Sequence, residues 1–316
     1  MNQPTHTPAF DVIVVGGLNT DFVGVGDGLP RPGETLNGSL FHETAGGKGA
    51  NQAVAVARLG GRVALVGAVG ADERGEALLG RLAAEHVDVR FVRKHRDAPT
   101  GAALIHVDAR GEKQILAVLG ANCRPTAADV VAACQTAGKP RVLLTQFELP
   151  IEAVTAALQW ARANGVTTVL DPAPAAPKVS DDLLRLVDVL KPNAHEAEAL
   201  TGIPVTDRAS ASKAASALIK RGVRAVAVQA GGEGNLLVSS EGEHFLPRVP
   251  VKSVDATGAG DALAATLATY LARGRTFAEA GRHANAAAAH ATTKLGAQEG
   301  LPTEEELQAF LVEHSI

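Results

Sequence analysis

The chain has 316 residues, 46% of them hydrophobic and 20% charged, with a formal net charge of −4. That is an ordinary globular composition, long enough for a large core, and it gives no positive field for nucleic acid or a membrane surface. The two cysteines, Cys123 and Cys134, exclude a disulfide framework and have no metal-ligand spacing, so both read as free thiols.

In chain order, residues 1–10 are polar with two prolines and read as a lead-in rather than a signal peptide. No apolar run reaches the roughly eighteen residues of a membrane span, so the cytoplasm is the expected compartment. Short β-branched runs then alternate with amphipathic ones. Strands are predicted at 11–16, 62–67, 141–145, 167–170, 187–190 and 224–229. Helices are predicted at 50–59, 74–85, 151–164, 181–186, 210–221 and 262–273. Alternation of this kind predicts an α/β fold, a mostly parallel sheet covered by helices on both faces. Near the C-terminus a hairpin-like pair, 235–239 and 243–246, precedes three helical runs.

Two segments break the alternation. Residues 22–44 contain the Pro/Gly-rich LPRPGETLNG, and residues 100–118 read as two strands joined by a turn at 108–111. Neither carries a helix. Both can pair into a small antiparallel sheet that covers a site as a lid, or stand as two surface hairpins without a role. In the first case one domain, 1–316, carries a lid drawn from about 20–44 and 98–119.

The most informative stretch is VDATGAGD, residues 254–261, directly ahead of a helical run. Glycines at 258 and 260 let bare backbone N–H groups approach a ligand, and the unpaired first turn of a helix suits a phosphate. A carboxylate beside an anion site, Asp261, suits proton removal from a hydroxyl that attacks a phosphoryl group. Helix capping by Asp255 or Asp261 is the competing explanation.

A second loop, AGGKGANQ at 45–52, also enters a helix and adds donors from Lys48 and Asn51. It is not a Walker A loop, because no Ser or Thr follows Lys48. The predicted strand ends lead to Asn19 and Asp21, to Glu148, to Asp171, to Lys191, Asn193 and Glu196, and to QAGGEG at 229–234. In open parallel sheets these ends are where ligands bind. Asn19, Asp21, Lys48, Asn51 and Glu148 supply the mixed donors and acceptors that a polyhydroxylated ligand needs. Asn193 and Glu196, three apart at the head of a helix, suit hydrated Mg²⁺ or a structural cap.

These motifs resemble the ribokinase, or PfkB, family of carbohydrate kinases. The resemblance runs from VVGGLNTDF (14–22) through PGET (32–35), AGGKGANQA (45–53), ARLG (57–60), TGAALI (100–105), LDPAPA (170–175) and KPNAHEAEALTG (191–202) to DATGAGDA (255–262) and KLGAQ (294–298). It implies a three-layer α/β/α sandwich with a small antiparallel β lid. It implies ATP-dependent phosphorylation of D-ribose at O5, or of another sugar or a nucleoside. Asp261 is then the catalytic base, with Gly258, Ala259 and Gly260 forming the anion hole together with the Asp261 amide. Asn19, Asp21, Gly47, Lys48, Asn51 and Glu148 match sugar-contacting positions, and Asn19 favours a sugar bearing a 2-hydroxyl.

Asn193, Gln229, Ala230, Gly231, Gly232, Glu233, Gly234, Gly260 and Asn285 match nucleotide-binding positions, with Glu196 tied to Mg²⁺. Carbonyls of Asp255, Thr257, Ala291, Lys294 and Gly296, with Gly300, match a K⁺ site, and pairing as a homodimer through the lid is implied as well. Three positions depart from the common pattern: Gln229 for threonine, Asn285 for histidine and Gly300 for serine. An oxidoreductase on a dinucleotide fold is disfavoured because GGLNTD at 16–21 lacks G-x-G-x-x-G. A non-catalytic sugar sensor has no use for Asp261.

Overall fold

Four consecutive β-branched residues, VIVV, form β1 (Val12–Val15), and all four are fully buried. A strand covered on both faces has no room for a polar alternation. In the computed structural model of the protein the described residues are 9–109, 113–175 and 179–316. After β1 come β2 (Asn19–Gly26), β3 (Gly38–Gly46), α1 (Lys48–Arg58), β4 (Val63–Gly70), α2 (Glu73–Ala84), β5 (Val92–His95), β6 (Gly101–Val107) and β7 (Lys113–Val118). The middle of the chain holds α3 (Ala127–Ala137), β8 (Val142–Thr145), α4 (Ile151–Ala163), β9 (Thr167–Leu170), α5 (Asp181–Leu184), β10 (Val189–Leu190), α6 (Ala194–Thr201) and α7 (Arg208–Lys220). The rest is β11 (Ala225–Gln229), β12 (Gly234–Ser239), β13 (Gly242–Pro247), α8 (Ala259–Ala272), α9 (Phe277–Ala291) and α10 (Glu304–Glu313).

The main sheet has the order β13-β12-β11-β10-β9-β8-β1-β4-β5. It is parallel from β5 to β11, and β12 and β13 are added antiparallel at one edge. Successive side chains of β1 enter opposite cores. Val12 and Val14 pack with residues of α1, α2, α8, α9 and α10, while Ile13 and Val15 pack with α3 to α7. This is the expected three-layer α/β/α sandwich.

The second sheet has the order β3-β2-β6-β7. Its outer pairs, β2–β3 and β6–β7, are antiparallel, but its central pair β2–β6 runs parallel, because each hairpin is inserted separately into the chain. Part of the turn expected at 108–111 lies outside the described residues. Only three residues separate the end of β1 from the start of β2, which brings Asn19 and Asp21 to the junction of the two sheets.

Candidate active site

Both glycine loops open helices at this junction. Gly258, the residue before α8, has φ 82°, and Gly47, before α1, has φ 87°. Each conformation is nearly free for glycine and strained for other residues. At the head of α8 the Ala259 amide makes only a long 3.3 Å bond to the Ala256 carbonyl. The amides of Gly260 and Asp261 find no backbone acceptor among the described residues, so they stay open to an anion. Neither Asp255 nor Asp261 caps this helix through its side chain.

Asp261, only 5% exposed, projects from this first turn toward α1. Its carboxylate accepts from Asn51 Nδ2 at 3.0 Å and from Gln52 Nε2 at 3.0 Å, and Lys48 Nζ lies at 3.9 Å. The base and the sugar loop expected from sequence therefore meet. Gln52 Nε2 also reaches Asp171 Oδ2 at 3.0 Å, and Gln146 donates to Gln52 Oε1. Lys191 Nζ lies 3.1 Å from Asp171 Oδ1 and donates to the Gly260 carbonyl at 3.2 Å. One buried polar network thus links the sugar loop to the head of α8.

Four carboxylates surround Lys48. Burial works to lower the pKa of its ammonium, but Asp261, Asp171, Glu148 and Glu196 outweigh it and raise the value above its ordinary one. Glu148 accepts from the Lys48 amide at 2.7 Å, and burial pushes its pKa up to about 7. Asp21 is pushed up to about 6 by burial and by the charge of Asp261, and its Oδ1 is buried without a hydrogen-bond partner. A buried acceptor with no partner is costly unless a ligand hydroxyl supplies one. A Cβ on Gly46 would collide with the Asp21 carboxylate, so this site needs glycine there.

Beside the head of α8 lies a cleft of about 390 Å³ lined by Lys191, Asn193, Gln229, Gly231, Gly232, Gly234, Ala259, Gly260 and Asn285, with Val249, Val251 and Leu263 as apolar walls. It suits the base and phosphates of a nucleotide. Two residues expected with this loop do not line it. Ala230 is buried in the core, and Glu233 turns to accept from the Arg208 amide at 2.9 Å. The Asn285 side chain donates to the Pro247 carbonyl and accepts from Asn235.

Asn193 and Glu196 form a capping box on α6, each accepting from the other's backbone amide at 2.8 Å. The structural role is therefore present, yet Glu196 is also buried and its pKa is raised by burial and by Asp171. No cluster of three or more His, Cys, Asp or Glu able to cage a metal occurs among the described residues.

The residues expected around a monovalent cation form two facing loops. Gly258 packs against the Ala297 carbonyl and Gly300 against that of Ala291. Asp255 accepts from Thr257 N at 2.9 Å and Gly296 N at 3.1 Å. Lys113 of β7 reaches the same carboxylate at 2.6 Å and also contacts the Thr257 hydroxyl. Burial would raise the Asp255 pKa, but Lys113 and the hydrogen bonds from Thr257 and Gly296 hold it at about 2. The Lys294 ammonium faces Glu306 instead, and the Gly300 carbonyl bonds His290 Nδ1 at 3.0 Å.

The sequence marks Asp171 and Lys191 only as strand-end groups suited to a ligand, and it gives no sign of the parts of Gln52, Gln146, Asn122 and Lys113. Gln52 lay inside the quoted loop and Gln146 at the end of a predicted strand. Nothing local marked Asn122 or Lys113.

The sequence pattern of the pfkB family carbohydrate kinases matches residues 9–304. A ribokinase of Haemophilus influenzae is 39% identical over 303 residues, 96% of this chain and 98% of that protein. A ribokinase structure from Thermotoga maritima is 34% identical, with a TM-score of 0.85 over 96% of this chain and 99% of its own. The Arabidopsis thaliana ribokinase structure, complexed with ribose and ATP, is 29% identical with a TM-score of 0.85, covering 96% of this chain and 98% of its own. No helix among the described residues is long and apolar enough to cross a membrane. The chain belongs to the PfkB family of carbohydrate kinases and is an ATP-dependent sugar kinase.

Proposed function

We infer that the protein transfers the γ-phosphoryl group of ATP to the 5-hydroxyl of D-ribose, giving ribose 5-phosphate and ADP. One observation carries this reading. The Asp261 carboxylate is held by Asn51 of the sugar loop while its own backbone amide helps open the anion site of α8. A hydroxyl between those two features has its proton acceptor on one side and the phosphoryl group on the other.

In this mechanism Asn19, Asp21, Gly47, Lys48, Asn51 and Glu148 hold the sugar. Asp261 takes the proton of the attacking hydroxyl. The amides of Gly260 and Asp261, with Gly258 and Ala259 shaping the turn, receive the charge that develops on the transferring group. The nucleotide lies in the cleft along Asn193, Gln229, Gly231, Gly232, Gly234 and Asn285.

Mg²⁺ arriving with ATP supplies neutralisation of the phosphate oxygens. Glu196 would hold such an ion: it is a buried carboxylate under the charge of a second one, Asp171, and Mg²⁺ sites commonly use one or two. The residues that would hold K⁺ as an activator are Asp255, Thr257, Ala291, Lys294, Gly296 and Gly300, in segments joined by the bond from the Gly296 amide to Asp255. The four-stranded sheet acts as a lid tethered by the Lys113–Asp255 ion pair. Its exposed Leu40, Phe41, Leu104, Ile115 and Leu116 support pairing of two copies through this sheet. The cytoplasm, where ATP and free pentose meet, is the matching compartment.

The test is ADP release with ribose, 2-deoxyribose, fructose and a ribonucleoside as acceptors. Ribose should have the highest kcat/KM. Strong turnover of the nucleoside without turnover of ribose would overturn the substrate assignment.

A further inference from the structure

Asn122 lies in the 3-10 turn Gly120–Cys123, 103 positions from Asn19 in sequence, and it is fully buried. Its Oδ1 accepts from the Leu18 amide at 3.0 Å. Its Nδ2 donates to the Leu18 carbonyl at 3.0 Å and to Asn19 Oδ1 at 2.9 Å. The oxygen and nitrogen of an amide are told apart by their partners. Here the partners leave no choice: a backbone N–H can only donate and a carbonyl can only accept, so Leu18 fixes both ends of the Asn122 amide. Asn122 Nδ2 in turn fixes Asn19 Oδ1 as an acceptor facing away from the site.

We propose that Asn122 is a positioning residue for sugar selection, because it forces Asn19 to present its N–H₂ group to the substrate. Asn19 then reads a sugar hydroxyl as an acceptor, which complements the acceptor-only carboxylate of Asp21. The Asn19 Nδ2 group makes no hydrogen bond among the described residues, as a donor reserved for a ligand should. The backbone is built around this contact. Gly101 pairs with Asn19 across β2 and β6, and a Cβ at 101 would collide with both Asn19 Oδ1 and Asn122 Nδ2. The Ala121 amide bonds the Pro99 carbonyl at 2.7 Å and ties the turn down.

The inference rests on the ribose reading above, and the experiment separates the two. Wild-type protein, Asn122→Asp and Asn122→Ser are assayed with ribose, 2-deoxyribose and 3-deoxyribose, after thermal melts establish folding. In Asn122→Asp one carboxylate oxygen still accepts from Leu18, but the other faces Asn19 Oδ1, so the Asn19 amide turns its oxygen toward the sugar. Asn122→Ser removes the contact without adding charge. Discrimination between ribose and the deoxy sugar that the wild type rejects most strongly should shrink about 10-fold or more. The loss should lie in KM for ribose, with kcat at saturation within about threefold. A purely structural role would lower activity on every sugar alike. Wild-type discrimination retained by either folded variant overturns the role of Asn122 alone; a wild type that ignores ribose overturns the ribose reading and this inference with it.

Discussion

Asn51 donates a 3.0 Å hydrogen bond to Asp261 although 210 residues separate them in the chain. The contact exists because α1 and α8 lie side by side in one core, joined by Ala50, Ala53, Val54, Ala262 and Ala265. Small side chains let the two helices approach closely, and both helices begin at the same end. Two motifs far apart in the sequence become one site through this packing.

Gln52 donates to both Asp171 and Asp261, so a carboxylate in its place would face two others. Gln52→Glu should set a third negative charge beside the base and move the acidic limb of the kcat/KM profile to higher pH. Gln52→Leu should leave the limb closer to its original position. It should also cost about 1–3 kcal/mol of stability through the unpaired carboxylates. An unmoved acidic limb in Gln52→Glu would separate Gln52 from the chemistry.

Asp21 gives a stability prediction with a defined sign. Its folded pKa of about 6 stands above the ordinary 3.8, so the folded protein holds this proton more tightly. The contribution is full below about pH 4 and is lost as pH rises through about 6. Glu148, raised from 4.5 to about 7, acts in the same direction. In thermal melts of ligand-free protein, the gap between wild type and Asp21→Asn should change between about pH 4 and 6, with the wild type losing ground as pH rises. A constant gap would show that Asp21 is not the source.

The sheet was legible because its inner strands are short runs of buried β-branched and aliphatic residues, such as VIVV, VLLT and TTVL. Two elements escaped. The edge strand β5 reads VRKH, with its middle exposed and charged, and carries no apolar run. The helix α3 reads AADVVAACQTA, whose apolar residues lie on several faces; its Thr126–Asp129 capping box was the missed signal. At the site, the glycine loops and strand ends announced themselves by residue type. The partners of Asn122 and Lys113 lie more than a hundred positions away in sequence, so only the fold brings them together.

The Lys113–Asp255 ion pair joins the small sheet to the loop that leads to the base. A partly exposed pair of this kind is worth up to about 1 kcal/mol. Lys113→Met should therefore raise the KM for sugar about 2–5-fold while kcat at saturation changes little. An unchanged KM would detach this contact from closure over the sugar.

Replacing K⁺ by Na⁺ at constant ionic strength should lower the turnover rate if the loops around Asp255 and Gly300 hold the larger, less strongly hydrated ion. Equal rates in the two salts would remove the cation from the loops around Asp255 and Gly300.

The central claim is that Asp261 removes the proton of the attacking hydroxyl. Single-turnover phosphorylation of ribose by Asp261→Asn, with ribose binding measured by calorimetry on the same sample, tests it most directly. The side-chain shape and the amides at the head of α8 stay in place, so binding should remain within a few-fold of wild type. The rate should fall by about 10²–10⁴-fold. Phosphoryl transfer at a near wild-type rate by this variant would contradict the account.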